Sequence, residues 1–454
     1  MSNTFVSTNS SRLGEATGAL RDHSIDVLTD DRTLGYLVDE MVPDLVVRPT
    51  SSQATSDVMT VASEYGLSVV PIGGMTRTNV GNPPQSYDIA IDLTALNQVV
   101  SHNPADLTAT VQAGIPVSRF QQILAEHGQF LAIDPPLPDR ATIGGTLAVG
   151  WGGPMTWQYW NPRDVVIGMK VVQADGPITK SGGQVVKNVS GYDMARMHIG
   201  ALGTLGIIAE VSFKLTPLPA LQSTIIAKFD ADQDCLDAAL DVFQSNLVPL
   251  AITTLHGEAA QKLLPGDTAN GPILAIRIGG RAKAVQRQID DMRALCKGPN
   301  SSNCEVINDS TAASLWRGVA DFGWDSQTTP AVGIRASVLP SDIRRTLNAI
   351  FDTSHALQLK PSITTQTAHG TLQINWYDHD SESSTEQEQA AIAHTLRAVD
   401  GGGGTAIVEQ VPLAIKATTD VWGDAGSSVD IMRNLKQQYD PNALLNPGRL
   451  VGGI

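Results

Sequence analysis

Three glycine-rich loops, each beside an apolar run of strand length, constrain this chain most strongly. They are Pro71-Ile72-Gly73-Gly74-Met75-Thr76-Arg77-Thr78-Asn79, Ala141-Thr142-Ile143-Gly144-Gly145-Thr146, and Gly200-Ala201-Leu202-Gly203-Thr204-Leu205-Gly206-Ile207. A glycine lets backbone N–H groups approach an anion without a Cβ in the way, and neighbouring Thr and Asn add donors. One such loop is a turn as readily as a binding site. Three between residues 71 and 207, each carrying threonine, favour a long extended ligand with a pyrophosphate in its middle. The single-motif fingerprints are absent: no G-x-G-x-x-G follows a strand, and G-x-x-x-x-G-K-[ST], H-E-x-x-H and G-x-S-x-G do not occur.

Composition narrows the function further. The 454 residues carry 31 Lys+Arg against 46 Asp+Glu, a formal charge of −15, which argues against nucleic acid as a partner. Three cysteines, Cys235, Cys296 and Cys304, cannot supply the four thiolates of an iron–sulfur cluster and are expected as free thiols. No apolar run reaches the length of a membrane span, and no secretory signal opens the chain, so a cytoplasmic protein is expected.

Residues 1–42 read as a polar, weakly periodic helical leader. From Leu45 short strands and amphipathic helices alternate up to Pro217-Leu218-Pro219, which reads as a domain boundary. Beyond it the pattern predicts strands over 223–229, 248–255, 272–278, 331–338, 371–377 and 405–411. Helices are predicted over 232–245, 281–296, 341–355 and 385–399. Two β-α-β-type units sharing one sheet would make this region an α+β layer.

The three loops, together with Asp134–Thr146, Asn161–Gly168, Gly182–Asp193 and the C-terminal Asp440-Pro441-Asn442-Ala443-Leu444-Leu445-Asn446-Pro447-Gly448-Arg449, resemble the vanillyl-alcohol-oxidase (PCMH) flavoproteins. Within that group the run from Gly182 to Asp193 is similar to the FAD-binding subunit of glycolate oxidase and related D-2-hydroxyacid dehydrogenases. The resemblance implies an α+β chain: a PCMH-type two-subdomain FAD-binding domain over 43–219, an α/β cap with an antiparallel sheet over 220–425, and a segment, 426–454, returning to the first domain.

It also implies roles. Pro71, Gly73, Gly74, Thr76, Arg77 and Thr78 would cradle the FAD pyrophosphate. Pro135, Thr142, Gly144 and Gly145 would follow the ribityl chain and isoalloxazine. Gly203 and Ile207 would line the adenosine side through backbone groups, and Asn446 would border the flavin. Where the family's first loop has a third glycine, this chain has Met75; a left-handed backbone there costs about 1–2 kcal/mol. No His or Cys lies in 71–79 or 141–154, so the FAD is expected to be non-covalent.

Oxidising a small 2-hydroxy acid requires a carboxylate clamp, a base and a carbinol facing the flavin. Arg335, in Gly333-Ile334-Arg335-Ala336-Ser337, is the first candidate clamp; a strand Arg paired to a surface acid is its alternative. Lys187, Lys416 and Arg449 stand next. His369 is the candidate base. It lies where metal-dependent relatives carry a longer histidine run that is broken here, so no metal is expected. Lys187 and Tyr192 would face the flavin or order their own loop. Trp151, Trp157 and Trp160 would wall a pocket, bury an interface or simply pack. Two functions follow: a self-sufficient FAD-dependent 2-hydroxy acid oxidoreductase, or an FAD-holding subunit working with hydroxyacid-dehydrogenase-like and iron–sulfur partners.

Overall fold

The computed structural model describes residues 3–159, 161–183, 192–264, 271–297, 301–326, 329–377 and 385–454. Trp160, Lys187 and most of the Gly182–Asp193 run lie outside the described residues. The first lobe holds two sheets. In one, β1 (Asp26–Leu28), β2 (Leu45–Arg48), β3 (Val69–Ile72) and β4 (Ile89–Asp92) stand in the order β1-β2-β4-β3. Strands β2, β4 and β3 run parallel, and β1 pairs antiparallel at the edge. Continuous apolar runs such as Leu45-Val46-Val47 suit parallel strands buried on both faces.

The helix α1 (Asn3–Asp22) packs on α2 (Ser52–Tyr65) through Ala16 and Leu20, both fully buried, so the expected leader is part of this lobe's core. Ser51 caps α2 by accepting from the Ala54 N–H, and Gly66 ends it in the left-handed conformation. In the second sheet, β5 (Val99–Asn103) and β6 (Thr108–Gln112) precede a short ribbon of β7 (Gln129–Phe130), which later pairs with β11 (Thr216–Pro217). With β8 (Val166–Val172), β9 (Ile178–Gly182) and β10 (Ile207–Lys214), they form an antiparallel sheet ordered β5-β6-β10-β8-β9.

The second lobe is built on one eight-stranded antiparallel sheet. Its strands are β12 (Leu221–Phe229), β13 (Ala251–His256), β14 (Ile273–Gly280), β15 (Ser301–Ile307), β16 (Val332–Ser337), β17 (Pro361–Gln366), β18 (Thr371–Trp376) and β19 (Thr405–Gln410). They stand in the order β15-β12-β14-β13-β17-β18-β16-β19. Four of the helices, Asp232–Gln244, Ala282–Cys296, Ile343–Ala356 and Thr385–Asp400, cover one face through Leu236, Val285, Leu347 and Ile392. The period of two in Thr371-Leu372-Gln373-Ile374-Asn375-Trp376 puts Leu372 and Ile374 under those helices. Thr371, Gln373 and Asn375 point to the other face, toward the first lobe.

The C-terminal segment closes the structure. Val69 donates to the Leu444 carbonyl at 2.7 Å and accepts from Asn446 N–H at 2.8 Å, extending the parallel sheet. Lys436 Nζ, buried in the helix Ser428–Tyr439, donates to Thr204 O, Leu445 O and Asp440 Oδ2.

Candidate active site

The site is assembled where the loop after β3 meets the loop that enters the helix α4 (Ile143–Val149). A Cβ on Gly74 would lie 1.7 Å from the Arg140 carbonyl oxygen, and one on Gly73 would lie 2.3 Å from Thr142 Oγ1. Only glycine lets these backbones approach so closely. The glycine requirement is therefore loop against loop, and the opposite side of each backbone borders a groove. Met75 follows in the left-handed region at φ +53°, where the family's third glycine would stand.

Pro71, Gly73, Gly74, Thr76, Arg77, Thr78, Pro135, Thr142, Gly145 and Asn446 all line this groove, with Thr146, Leu202 and Arg449. Three expected residues do not. Gly144 is turned away within α4, where a Cβ would meet Ala113 at 2.7 Å. Ile207 is buried in the core of β10. Gly203, left-handed at φ +73°, faces Pro71 from behind, and its neighbour Leu202 takes the lining position. Thr146 Oγ1 and Asn446 Oδ1 are buried without a hydrogen-bond partner.

Arg77 runs out of the groove to the junction of the lobes. Its guanidinium lies between the rings of Trp151 and Trp324, 4.5 and 4.2 Å from their centroids. Its Nη2 donates to Glu409 Oε1 at 2.5 Å, and Arg335 Nε donates to the same oxygen at 2.8 Å. Glu409 is fully buried. Burial pushes its carboxyl up, but the two guanidiniums pull it down by more, so it sits below the ordinary glutamate value. Burial draws Arg77 down to about 10 against the pull of Glu409. All three groups are thus charged at neutral pH, and the cluster carries a net charge of +1 deep in the protein. Arg335 does pair with an acid, but a buried and shared one in place of the surface acid of its alternative reading. Among the described residues neither Nη1 nor Nη2 of Arg335 is hydrogen-bonded.

Beyond Trp151 a cavity of about 250 Å³ opens under the polar face of the second lobe's sheet. Arg335 and Ser337 from β16, Thr371 and Gln373 from β18, and Thr364 and Gln366 from β17 form one wall. The loop Gly150–Pro154 and the apolar Val319, Ala320 and Phe322 face them. His369, at the β17–β18 turn, lines the same cavity and stands edge-on to Trp157. Burial lowers its pKa below 6.5 despite a hydrogen bond to the Thr156 backbone, and its Nε2 is buried without a partner. Trp151 lines both groove and cavity.

The other candidates fall elsewhere. Tyr192 is 90% exposed and borders neither space; burial on this stretch begins at Ala195. Lys416 is taken by Asp39 and the Asn79 carbonyl at 2.7 Å each. Arg449 spends its donors on the carbonyls of Thr78, Val80 and Asn82. Among the described residues no group of three His, Cys, Asp or Glu side chains could hold a metal ion, and no helix is long and apolar enough to cross a membrane. Sequence reasoning missed Glu409, Trp324 and Gln373. The alternation in Thr371–Trp376 was a usable signal for Gln373, and a lone carboxylate in the strand Thr405–Gln410 was one for Glu409.

The FAD binding domain family matches residues 43–182, and the C-terminal domain of FAD linked oxidases matches 218–409 and 420–450. The glycolate oxidase subunit GlcD of Bacillus subtilis is 26% identical over 90% of this chain and 89% of its own length. A mitochondrial D-lactate dehydrogenase [cytochrome] of Arabidopsis thaliana is 25% identical over 90% of this chain and 74% of its own length. A D-2-hydroxyglutarate dehydrogenase of Xanthomonas citri is 26% identical over 90% and 89%. Among solved structures, p-cresol methylhydroxylase shares the fold at a TM-score of 0.74 and 17% identity, covering 97% of this chain and 96% of that one. The chain is an FAD-dependent oxidoreductase, and FAD is its cofactor. It belongs to the FAD-linked oxidases.

Proposed function

We propose that this chain oxidises a small 2-hydroxy acid, of the glycolate or D-lactate type, in the cavity between its lobes. The observation that carries the reading is the Arg77–Glu409–Arg335 cluster. A buried net positive charge with two terminal nitrogens of Arg335 unbonded calls for an anion, and a carboxylate fits that fork. The relatives named for glycolate, D-lactate and D-2-hydroxyglutarate support the same class.

The groove fits FAD. The close-packed loop of Gly73 and Gly74 with Thr76 and Thr78 would hold the pyrophosphate. Pro135, Thr142, Gly145 and the unpartnered Thr146 Oγ1 and Asn446 Oδ1 line the way to the junction. Among the described residues no His or Cys lines the groove, and the cofactor is read as non-covalent. Held by these residues, FAD would supply a two-electron acceptor for the hydride equivalent of the carbinol carbon. The chain's own residues do the rest. Arg335 grips the carboxylate, held in place by Glu409 and, through it, Arg77. His369, neutral at pH 7, receives the hydroxyl proton at Nε2. Trp151, Trp324 and Phe322 keep water away, which strengthens each charge contact.

The test is anaerobic addition of glycolate or D-lactate to the purified, FAD-loaded chain. Bleaching of the flavin absorbance is expected, and a fully loaded protein that no 2-hydroxy acid bleaches would sink the proposal. A second reading has support as well: GlcD is named as a subunit, and three cysteines do not make a cluster site. In that reading the flavin's electrons leave through partner chains, with an iron–sulfur centre among them. Reduction that appears only when such partners are added would favour it.

A further inference from the structure

The wall of the cavity carries information about the rest of the substrate. Across three adjacent strands the register aligns Arg335 with Gln373 and Gln373 with Thr364. One step along, it aligns Ser337 with Thr371 and Thr371 with Gln366. The result is a grid of six side chains on one face of the sheet, five of them neutral hydrogen-bonding groups. The alternate residues Ile334, Ala336, Leu372, Ile374 and Ile363 belong to the core on the other face. Thr364 and Gln373 are buried, and burying a hydroxyl or an amide is unfavourable unless something bonds it.

Within the protein that demand is only partly met. Gln373 Nε2 reaches Asn375 Oδ1 at 3.3 Å, while Gln373 Oε1 has no partner. Gln366 Oε1 accepts from Thr253 Oγ1 at 2.9 Å. Trp151 Nε1, on the facing loop, is a buried donor without an acceptor. The cavity's volume corresponds to about eight waters, far more than glycolate displaces. Among the described residues Arg335 is the only side chain of fixed positive charge in the lining, so a second carboxylate would find no counter-charge among them. An aliphatic tail would leave the amides and hydroxyls unbonded. Val319, Ala320 and Phe322 offer apolar surface in the same cavity as the polar grid, suited to C–H groups.

We infer that the substrate is a 2-hydroxy acid whose further carbons carry hydroxyl groups, a polyhydroxylated monocarboxylate of the aldonic-acid class, with Gln373 and Thr364 as specificity-determining residues. The inference rests on the 2-hydroxy acid reading and narrows it. A site built to bond hydroxyls discriminates strongly against analogues that lack them.

The experiment measures rates of anaerobic flavin reduction in the FAD-loaded chain, using both enantiomers where they exist. The acids are glycolate, lactate, 2-hydroxyisocaproate, 2-hydroxyglutarate, glycerate and gluconate. The expected result is that glycerate or gluconate exceeds lactate, 2-hydroxyisocaproate and 2-hydroxyglutarate in kcat/KM by at least about tenfold. In Gln373→Met, similar in volume, and in Thr364→Val, the ratio of gluconate to lactate should fall by about tenfold at unchanged FAD content. Lactate, 2-hydroxyisocaproate or 2-hydroxyglutarate as the best substrate overturns the inference and leaves the 2-hydroxy acid reading standing. Failure of all six acids to bleach a loaded flavin overturns both.

Discussion

Replacing Glu409 by Gln tests the electrostatic logic of the junction. The substitution keeps the shape of the side chain and removes its charge, leaving the guanidiniums of Arg77 and Arg335 on one neutral amide with no counter-charge. Arg77 is 6% exposed, Arg335 21% and Glu409 not at all, so solvent screens this cluster weakly. Removing one partner of a buried pair costs about 3–5 kcal/mol. At roughly 2–4 °C per kcal/mol for a unit the size of this cap, the melting temperature should fall by about 6–20 °C. Thermal melts of the FAD-loaded proteins read this directly. The effect should survive high salt, unlike that of the exposed Arg433–Asp430 pair, whose loss should barely register.

The pH dependence has a definite sign. Glu409 has a depressed pKa in the fold, so its contribution is present above the ordinary value of 4.5 and is lost as pH falls through the folded value. The gap between wild type and variant should therefore close in acid. A melting temperature lowered by less than about 2 °C at pH 7 would refute the buried-cluster argument.

Arg335→Lys keeps a charge but loses both the planar fork and the Nε bond to Glu409. With 1.5–3 kcal/mol for a charge-assisted hydrogen bond, kcat/KM for a 2-hydroxy acid should drop about ten- to 150-fold, and unchanged kinetics at full FAD content would move the clamp elsewhere. Gly74→Ala drives a Cβ into the Arg140 carbonyl, and overpacking of about 1–3 kcal/mol should weaken FAD about five- to 150-fold in a fluorescence titration. His369 has a lowered pKa, so as a base it should stay competent down to below pH 6.5; an acidic limb of kcat/KM centred above 6.5 in wild type would exclude it from that role. Acid precipitation should leave the FAD in the supernatant, and flavin carried down with the protein would reveal a covalent link.

The groove was more legible than the junction. Its residues come in short runs, and a glycine pair after an apolar strand is a local signal. Even there the reason was only half visible. Gly74 is required because Arg140 approaches it, a contact between segments far apart in sequence. Gly144 and Ile207 carry the same motif signature as their neighbours, yet helix phase and strand pleat turn them into the core. Strands with clear alternation, such as Thr371–Trp376, were readable. The edge strand Ser301–Ile307 and the helix Asp309–Asp321 were not, because Ser301-Ser302-Asn303 breaks the apolar pattern that marks a strand.

The junction escaped for a different reason. Glu409 meets Arg77 across 332 residues of chain, and Trp324 reaches the same guanidinium from a turn in the second lobe. No local pattern encodes that meeting, and neither lobe contains it alone. Arg77 departs from the groove its loop helps to form because the pairing with Glu409 and the two indole faces outweigh what a surface position would offer. The same bond that buries Arg77 also holds Arg335 by its Nε, leaving its two end nitrogens for the cavity. Groove and cavity are thus joined through one carboxylate. A perturbation of Glu409 should therefore be felt both in how the first lobe holds its cofactor and in how the second grips an acid, whereas a change at Gln373 should be felt in the second alone.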